Sequence, residues 1–319
     1  FPALKEHVRA NHRQGQFILS GSVRFTSRKA IRESLTGRIS VVEILPFTCS
    51  EAEGKPLPSL LAKLTRVKKQ RDLESVFQNT GPHSESTFKT LLVNGGLPGI
   101  CFFRAPEVRA DRWGTQLDTL LNRDLRLVHE TTLPYQALRD LLEHLANRQG
   151  EPFELNEAVK ATQISAITLK KILFAFEALF LIRRVRCAGD LKRDTFFLED
   201  QGMASWIARR DLSTPADVTR GLYAHLRQEL HYRPEWNGRI SQFRTKHDVI
   251  VPLVFDAARA KVGIVSTLDS DLRPKTIATA NAFLKKNPGF KCVIASATKE
   301  PVARSENLFV IPFTWLLRA

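Results

Sequence analysis

Apolar and polar residues alternate along the chain in patterns that predict regular elements over most of its length. Apolar residues at three- and four-residue intervals predict helices over 2–14, 87–93, 111–129, 133–148, 155–161, 165–180, 222–230 and 275–286. Short apolar runs predict strands over 17–19, 39–45, 181–187, 195–199, 240–244, 249–255, 262–267 and 290–295. The tail, 308–317, predicts a final strand and helix. We therefore expect an α/β fold with several domains.

Residues 55–78 differ from their surroundings because polar and charged residues dominate them. They contain a basic run over 66–71, Arg-Val-Lys-Lys-Gln-Arg. A charged stretch of this kind is typical of a solvated helix, and a nucleic-acid contact is the alternative.

Composition and charge narrow the class of protein. The chain has 319 residues, enough for two or three domains with their own cores, and no apolar run of membrane-spanning length. A net charge of +15 favours a polyanionic partner such as DNA, RNA or a nucleotide, with general solubility as the alternative. The four cysteines are widely separated, which predicts reduced thiols in a cytoplasmic protein.

The stretch 16–51 contains the densest set of short motifs. The apolar run 17–19 ends at Ser20-Gly21-Ser22, a Ser-Leu-Thr-Gly-Arg sequence occupies 34–38, and Leu-Pro-Phe-Thr-Cys-Ser-Glu occupies 45–51. A buried parallel strand that ends in small polar residues delivers hydroxyl groups to the carboxyl edge of a sheet, where ligands bind. An ordinary strand and turn is the competing interpretation.

Taken in order, these motifs resemble those of a family of prokaryotic AAA-like P-loop ATPases that carry a C-terminal restriction-endonuclease-like domain of unknown function. Gly-Gly-Leu-Pro at 95–98, Arg-Trp at 112–113 and Asn-Arg-Asp-Leu at 122–125 extend the resemblance, without the family's tyrosine. It implies three domains. Residues 1–130 would be the C-terminal part of the ATPase domain, with a partial P-loop sheet and helical lid. Residues 131–200 would be a winged helix, and 201–319 a degenerate restriction-endonuclease-like domain.

The ATPase resemblance implies ATP and Mg²⁺ as cofactors of the full-length protein. No G-x-x-x-x-G-K-[ST] sequence occurs in the chain, and position 1 is Phe, so we expect a preceding segment with the Walker motifs. We expect residues 1–319 alone to bind ATP poorly. Ser20 or Ser22 would position the attacking water, and Arg38 would face the γ-phosphate. For Arg38 the alternative is a cation at a helix end.

Three helices followed by two strands, over 131–200, is the element order of a winged helix, whose third helix usually enters the DNA major groove. The third helix carries Lys170 and Lys171. The hairpin carries the remaining cations, Arg183, Arg184, Arg186, Lys192 and Arg193. These residues predict contact with double-stranded DNA. A module that only packs against its neighbours or against a protein partner is the alternative.

The C-terminal α/β order resembles a restriction-endonuclease core, which holds metal with a helix carboxylate, a strand Asp and an E-x-K sequence. Glu229 and Asp248 match the first two positions. The E-x-K position falls on Val265-Ser266-Thr267, so carboxylate and lysine are missing there. We predict a degenerate nuclease fold with no metal site.

The sequence thus favours a cytoplasmic, nucleotide-binding AAA-like ATPase, DNA-associated, with no membrane partner. The alternative is a non-catalytic DNA- or protein-binding protein with degenerate ATPase and nuclease folds. An oligomer or another protein partner fits either hypothesis, and nuclease activity is not expected.

Overall fold

The computed structural model describes residues 2–11, 13, 15–24, 40–55, 60–78, 85–191, 193–210, 213–247 and 249–317. Its helices are α1 (Pro2–Ala10), α2 (Cys49–Ala52), α3 (Leu60–Leu64), α4 (Gln70–Phe77), α5 (Glu85–Asn94), α6 (Pro98–Cys101), α7 (Pro106–Thr119), α8 (Leu125–Val128), α9 (Tyr135–Asn147), α10 (Leu155–Thr162), α11 (Ala166–Ala178), α12 (Gln201–Ala208), α13 (Pro215–His231) and α14 (Pro274–Lys286). A π-helical turn, Leu120–Asp124, joins α7 to α8, and short 3₁₀ turns occupy Pro234–Trp236 and Phe313–Leu317.

The strands are β1 (Ile182–Val185), β2 (Cys187–Gly189), β3 (Thr195–Leu198), β4 (Arg239–Arg244), β5 (Ile250–Ala257), β6 (Ala260–Ser266), β7 (Lys291–Ser296), β8 (Val302–Ala303) and β9 (Leu308–Pro312). Strands β1 and β3 form an antiparallel pair. The others form a sheet in the order β2-β4-β5-β6-β7-β9-β8. The helices and strands predicted beyond residue 85 are confirmed, and the fold is a mixed α/β arrangement.

Helices cover both faces of the seven-stranded sheet. Successive side chains along each strand point to opposite faces, so each strand contributes to both cores. Leu253 and Phe255 of β5 point to one face, where they join a core with α3, α4, α5 and α13. Val254 of β5 points to the other face, where it joins a second core with Ala280 and Phe283 of α14. A separate apolar core joins helices α7 to α12 with β1 and β3.

The prediction of a solvated helix at 55–78 is wrong. Helices α3 and α4 lie against the sheet. Their residues Leu60, Leu61, Leu64, Leu73 and Phe77 are buried, and so is Val67 between the two helices. The abundant charged residues obscured this pattern, because the apolar positions are few, although those in the described part of the segment meet the core.

The strands predicted over 17–19 and 39–45, which would have belonged to a partial P-loop sheet, are not formed in the described residues of these ranges. Residues 16–20 and 40–48 lie outside helices and strands. Ile18 is 96% exposed, and Val42 and Ile44 are also exposed. A strand requires a hydrogen-bonding neighbour, and no described strand pairs with either segment.

Candidate functional sites

We call the chain up to α2 the N-terminal segment, and helices α7 to α12 with β1 and β3 the helical unit. Ser22 lies where the two meet. Its hydroxyl donates to Asp124 Oδ2 at 3.2 Å, and the other oxygen of Asp124 pairs with Arg123 Nε at 2.8 Å. Asp124 is buried and ends the π-helical turn, a rare geometry that frequently marks functional positions. Ser20 is exposed, and Arg38 lies outside the described residues. The structure therefore gives Ser22 an anchoring contact, whereas the side chain of Ser20 forms no hydrogen bond with a described residue.

Five charged side chains form a cluster that joins the N-terminal segment to β1, to the end of β3 and to α13. We call it the five-charge cluster. Glu43 accepts from Arg183 at 3.0 Å and pairs with Arg24 at 3.3 Å and Arg227 at 3.4 Å. Glu199 pairs with Arg183 at 2.8 Å and also with Arg227. Burial raises the pKa of Glu43, but the three guanidinium groups outweigh this and bring that pKa below its ordinary value.

Helix α13 also holds the backbone of residues 43–46. The His231 ring nitrogen Nε2 lies 2.8 Å from the carbonyl oxygen of Glu43, and the Leu45 amide donates to the Tyr232 hydroxyl at 3.0 Å. Gln228 donates to the carbonyl of Pro46. Side chains of a helix thus satisfy backbone groups that a neighbouring strand would satisfy in a sheet.

The motif at 45–51 is the start of a helix. Thr48 is the N-cap of α2, and its hydroxyl accepts from the Glu51 amide at 3.0 Å. The Glu51 carboxylate accepts in return from the Thr48 amide at 2.9 Å. This reciprocal pair is a capping box, so Thr48 and Glu51 fix the chain direction here.

The glycine motif at 95–98 is held by the buried carboxylate of Asp200. One oxygen accepts from the amides of Gly96 and Leu97, at 2.8 and 3.0 Å, and the other from the first amides of α12, at 2.7 and 3.1 Å. A Cβ on Gly95, where φ is +72°, would lie 1.9 Å from Asp200. The Gly96 carbonyl accepts from Phe47 at 2.7 Å. The motif thus connects three separate parts of the chain.

Helix α11, the third helix of the predicted winged helix, exposes a basic face. Lys170 and Lys171 are exposed, and no described residue forms an ion pair or hydrogen bond with either ammonium group. Ile167 and Phe174, on the same face, are 72% and 63% exposed. The opposite face is buried in the helical core. The structure places both predicted lysines where a ligand can reach them.

Most of the cations predicted for the hairpin already have carboxylate partners. Arg183 belongs to the five-charge cluster. Arg184 pairs with Glu177 at 3.4 Å and Asp194 at 3.6 Å, and Arg193 pairs with Glu154.

The loop that would form the wing is joined to the large sheet. Strand β2 pairs in parallel with β4, and the amide of Gln242 donates to the carbonyl of Arg186 at 2.9 Å. The side chain of Arg186 is exposed, and Lys192 lies outside the described residues. Docking against β4 constrains this loop, so α11 is the better-placed part of the predicted nucleic-acid interface.

The positions matched to a nuclease site are separated. Thr219 donates to Ser266 at the end of β6, with 3.0 Å between the hydroxyl oxygens. Glu229 lies ten residues further along α13, about 15 Å away at 1.5 Å per residue. Its neighbour Leu230 and Ala257 both lie beside Gly238, and Ala257 is at the β5–β6 turn, the opposite end of these strands. Asp248 lies outside the described residues, and β5 begins at Ile250, away from Glu229.

Burial dominates the electrostatics of Glu229. Its side chain is 1% exposed, and burial raises its pKa to about 8, although Arg233 and Lys63 act in the opposite direction. Its oxygen Oε1 lies 3.6 Å from Arg233 and has no hydrogen-bond partner. Among the described residues, no group of three or more His, Cys, Asp or Glu could hold a metal ion.

Several junction residues were not among the sequence candidates: Arg24, Glu43, Glu199, Asp200 and Arg227. A sequence signal existed for Asp200, because an Asp between a strand and a helix is a common N-cap. Glu43 is a charged residue inside an apolar run, which was a weaker signal. The charge pairing itself joins residues up to 184 positions apart, so no local pattern shows it.

Two segments of the chain match known protein families. Residues 1–53 match a family described as an AAA domain, and residues 85–211 match a domain of unknown function, DUF8612. No curated protein and no solved structure matches the chain. In the described part of the chain, no helix has the length and apolar character needed to cross a membrane. The match over residues 1–53 supports an AAA-like ATPase as the class of protein to which the N-terminal segment is related.

Proposed function

We propose that the chain is part of an AAA-like ATPase that binds ATP and Mg²⁺ and transmits its nucleotide state to the helical and sheet units beyond residue 85. One observation carries the proposal. The segment similar to an AAA domain is bonded to the rest of the chain through Ser22, Arg24 and Glu43. Movement of this segment would therefore strain Asp124, the five-charge cluster and α13 together.

Within the proposed ATPase, Arg38 would neutralise charge on the γ-phosphate, and a serine would position the attacking water. Ser20 is the better candidate for the second role. Its side chain is exposed and unbonded among the described residues, whereas the Ser22 hydroxyl already donates to Asp124.

ATP hydrolysis tests this proposal. Residues 1–319 contain no Walker A sequence, so we expect no phosphate release from them alone. A protein that carries the chain together with such a sequence should hydrolyse ATP. There, Arg38→Ala should lower kcat by about 10²–10³, the usual effect of removing one group that stabilises developing charge. Arg304→Ala, at an exposed arginine, is the control. Unchanged kcat in Arg38→Ala would contradict the role of Arg38.

Binding of double-stranded DNA by α11 is a second proposed function, and it also applies to a non-catalytic protein. The exposed, unpaired lysines Lys170 and Lys171 favour it. Two lysines at phosphates support weak, salt-dependent binding, with a Kd of about 10⁻⁴–10⁻⁶ M at physiological salt. Under this proposal residues 131–200 act as a winged helix, and residues 201–319 form a degenerate nuclease fold that supports it.

Fluorescence anisotropy with a labelled duplex tests DNA binding. The variant with Lys170→Ala and Lys171→Ala should bind every sequence more weakly and with a smaller salt dependence. Arg193→Ala is a matched control, because Arg193 is already paired with Glu154. Absence of binding at low salt would remove α11 from any nucleic-acid role.

A further inference from the structure

The exposed face of α11 has an apolar line with one lysine on each side. Ile167 and Phe174 are two turns apart, so they lie nearly in line along the helix. At 100° per residue, Lys170 and Lys171 lie about 50° to either side of this line. All four side chains are exposed, and Ile167 and Phe174 are among the most exposed large apolar residues in the described part of the chain.

The position of this face is fixed by contacts on the other side and at both ends of α11. Leu169, Ile172 and Phe176 on the opposite side are fully buried in the helical core. Ser165 caps the first turn of the helix by accepting from the Thr168 amide. At the other end, the amide of Arg24 donates to the Ala178 carbonyl at 2.9 Å, so the N-terminal segment borders the face. Neither Ile167 nor Phe174 takes part in these contacts.

We propose that Ile167 and Phe174 read thymine methyl groups in the major groove of duplex DNA. This inference rests on the proposed DNA binding by α11. A major groove about 12 Å wide admits one helix, with phosphates along both walls. Lys170 and Lys171 diverge to the two sides, as contacts with both strands require. Ile167 and Phe174 then face the base edges, where the thymine 5-methyl group is the apolar feature.

The spacing of the two apolar side chains predicts the spacing of the bases. Seven residues of helix span about 10.5 Å, and base pairs are stacked about 3.4 Å apart. With the helix along the groove, the two contacted thymines are about three base pairs apart. A second copy of the chain is disfavoured as the occupant, because each copy carries a net charge of +15. A protein helix with glutamates beside an apolar line would also fit and is tested as a separate outcome.

Replacing thymine by deoxyuridine isolates the proposed contact, because it removes the methyl group and leaves charge and pairing unchanged. Residues 1–319 are titrated into labelled duplexes with paired thymines at this spacing, or with deoxyuridine in their place. We expect about fourfold weaker binding for each contacted methyl group that is lost, which corresponds to burial of one methyl-sized group. The variant with Ile167→Ser and Phe174→Ser should bind the two duplexes equally.

Two further variants separate the roles. The variant with Lys170→Ala and Lys171→Ala should bind both duplexes more weakly but keep the thymine preference. Leu127→Ser, at an exposed leucine of α8, should keep both affinity and preference. All three variants change exposed side chains, and circular dichroism checks that each remains folded.

Equal affinity of the unaltered chain for both duplexes, with binding still dependent on the lysines, would overturn methyl recognition and leave DNA binding intact. No duplex binding at low salt would overturn both proposals. A synthetic helix with leucines along one line and glutamates beside it serves as the protein probe. Binding of this helix without duplex binding, abolished by Ile167→Ser and Phe174→Ser, would make the face a protein-docking surface and overturn the inference.

Discussion

Individual buried polar residues in this protein act mainly by fixing backbone geometry. Asp200 accepts four amide hydrogens from two distant segments, and Thr48 and Glu51 cap the same helix reciprocally. Glu229 is different, because Arg233 is its closest charged neighbour and one of its oxygens has no hydrogen-bond partner. Replacement of Asp200 should therefore cost more stability than replacement of Glu229.

For Glu229→Gln we expect a changed dependence of stability on pH. The pKa of Glu229 in the folded protein, about 8, lies above its unfolded value of 4.5. The stability that the protonated group contributes is therefore present below pH 4.5 and is lost as the pH rises through 8. One pKa unit corresponds to 1.36 kcal/mol, so the native protein should lose up to about 5 kcal/mol relative to the variant.

Urea unfolding at several pH values between 4.5 and 8.5 measures this difference. Glu235→Gln removes an exposed carboxylate close by and serves as the control. Parallel pH curves for the native protein and Glu229→Gln would show that Glu229 ionises normally in the folded state.

Asp200→Ala should be strongly destabilising. It leaves four amides without their acceptor, at Gly96, Leu97, Gly202 and Met203. A buried donor left unpaired costs about 1–3 kcal/mol, and loss of an N-cap about 1 kcal/mol, so we expect a loss of about 3 kcal/mol or more. Chemical denaturation measures it, with Asp271→Ala at an exposed aspartate as the control. A loss below about 1 kcal/mol would mean that water replaces the carboxylate.

At the scale of elements, contacts between segments decide which ones become strands. Residues 43–46 bind side chains of α13 where a sheet partner would otherwise bind them. The β2 segment leaves the hairpin and joins the large sheet through β4. The five-charge cluster lies where these pieces meet, so its carboxylates should control how firmly the N-terminal segment is held.

Glu43→Gln should loosen the N-terminal segment. Arg24, Arg183 and Arg227 would then share the single carboxylate of Glu199. Removing one partner of a fully buried pair costs about 3–5 kcal/mol, and partial exposure of this cluster reduces the expected loss to about 2 kcal/mol. Hydrogen exchange should show faster exchange at the Leu45 amide, with Glu300→Gln as an exposed control. Unchanged exchange would indicate that α13 alone holds this segment.

At the scale of the whole molecule, the sheet and the helical unit each have their own apolar core. Helices α5 and α12 contact each other and so join the two cores, and the glycine motif bonds to Phe47 of the N-terminal segment. Under the proposed function, a nucleotide-dependent movement of the N-terminal segment would have direct routes to α11 and to the sheet. The fold does not bring Glu229 and Ser266 together, since Ser266 contacts the first part of α13 and Glu229 lies near its end.

We therefore expect no nuclease activity with Mg²⁺ or Mn²⁺. Val265 and Thr267 occupy the positions of the acid and the lysine, and neither can coordinate metal or activate water as those groups do. Incubation with single- and double-stranded DNA checks this. Cleavage by the native chain that disappears in Asp248→Ala would contradict it, whereas cleavage that persists would point to a contaminant.

Apart from α6, α12, β2 and β8, the sequence by itself determined the helices and strands beyond residue 85, because each is set by the local period of its apolar residues. It also placed Lys170 and Lys171 correctly on the exposed face of α11, since the buried positions of that helix are readable from their spacing.

Tertiary structure alone decided which charges are free and which apolar runs are strands. Arg183 resembles its neighbours in sequence, but Glu43, 140 positions away, removes it from the surface. The run 17–19 has the composition of a strand, and no described strand pairs with it. Ion pairs and strand pairing both depend on partners distant in sequence, so local patterns cannot specify them.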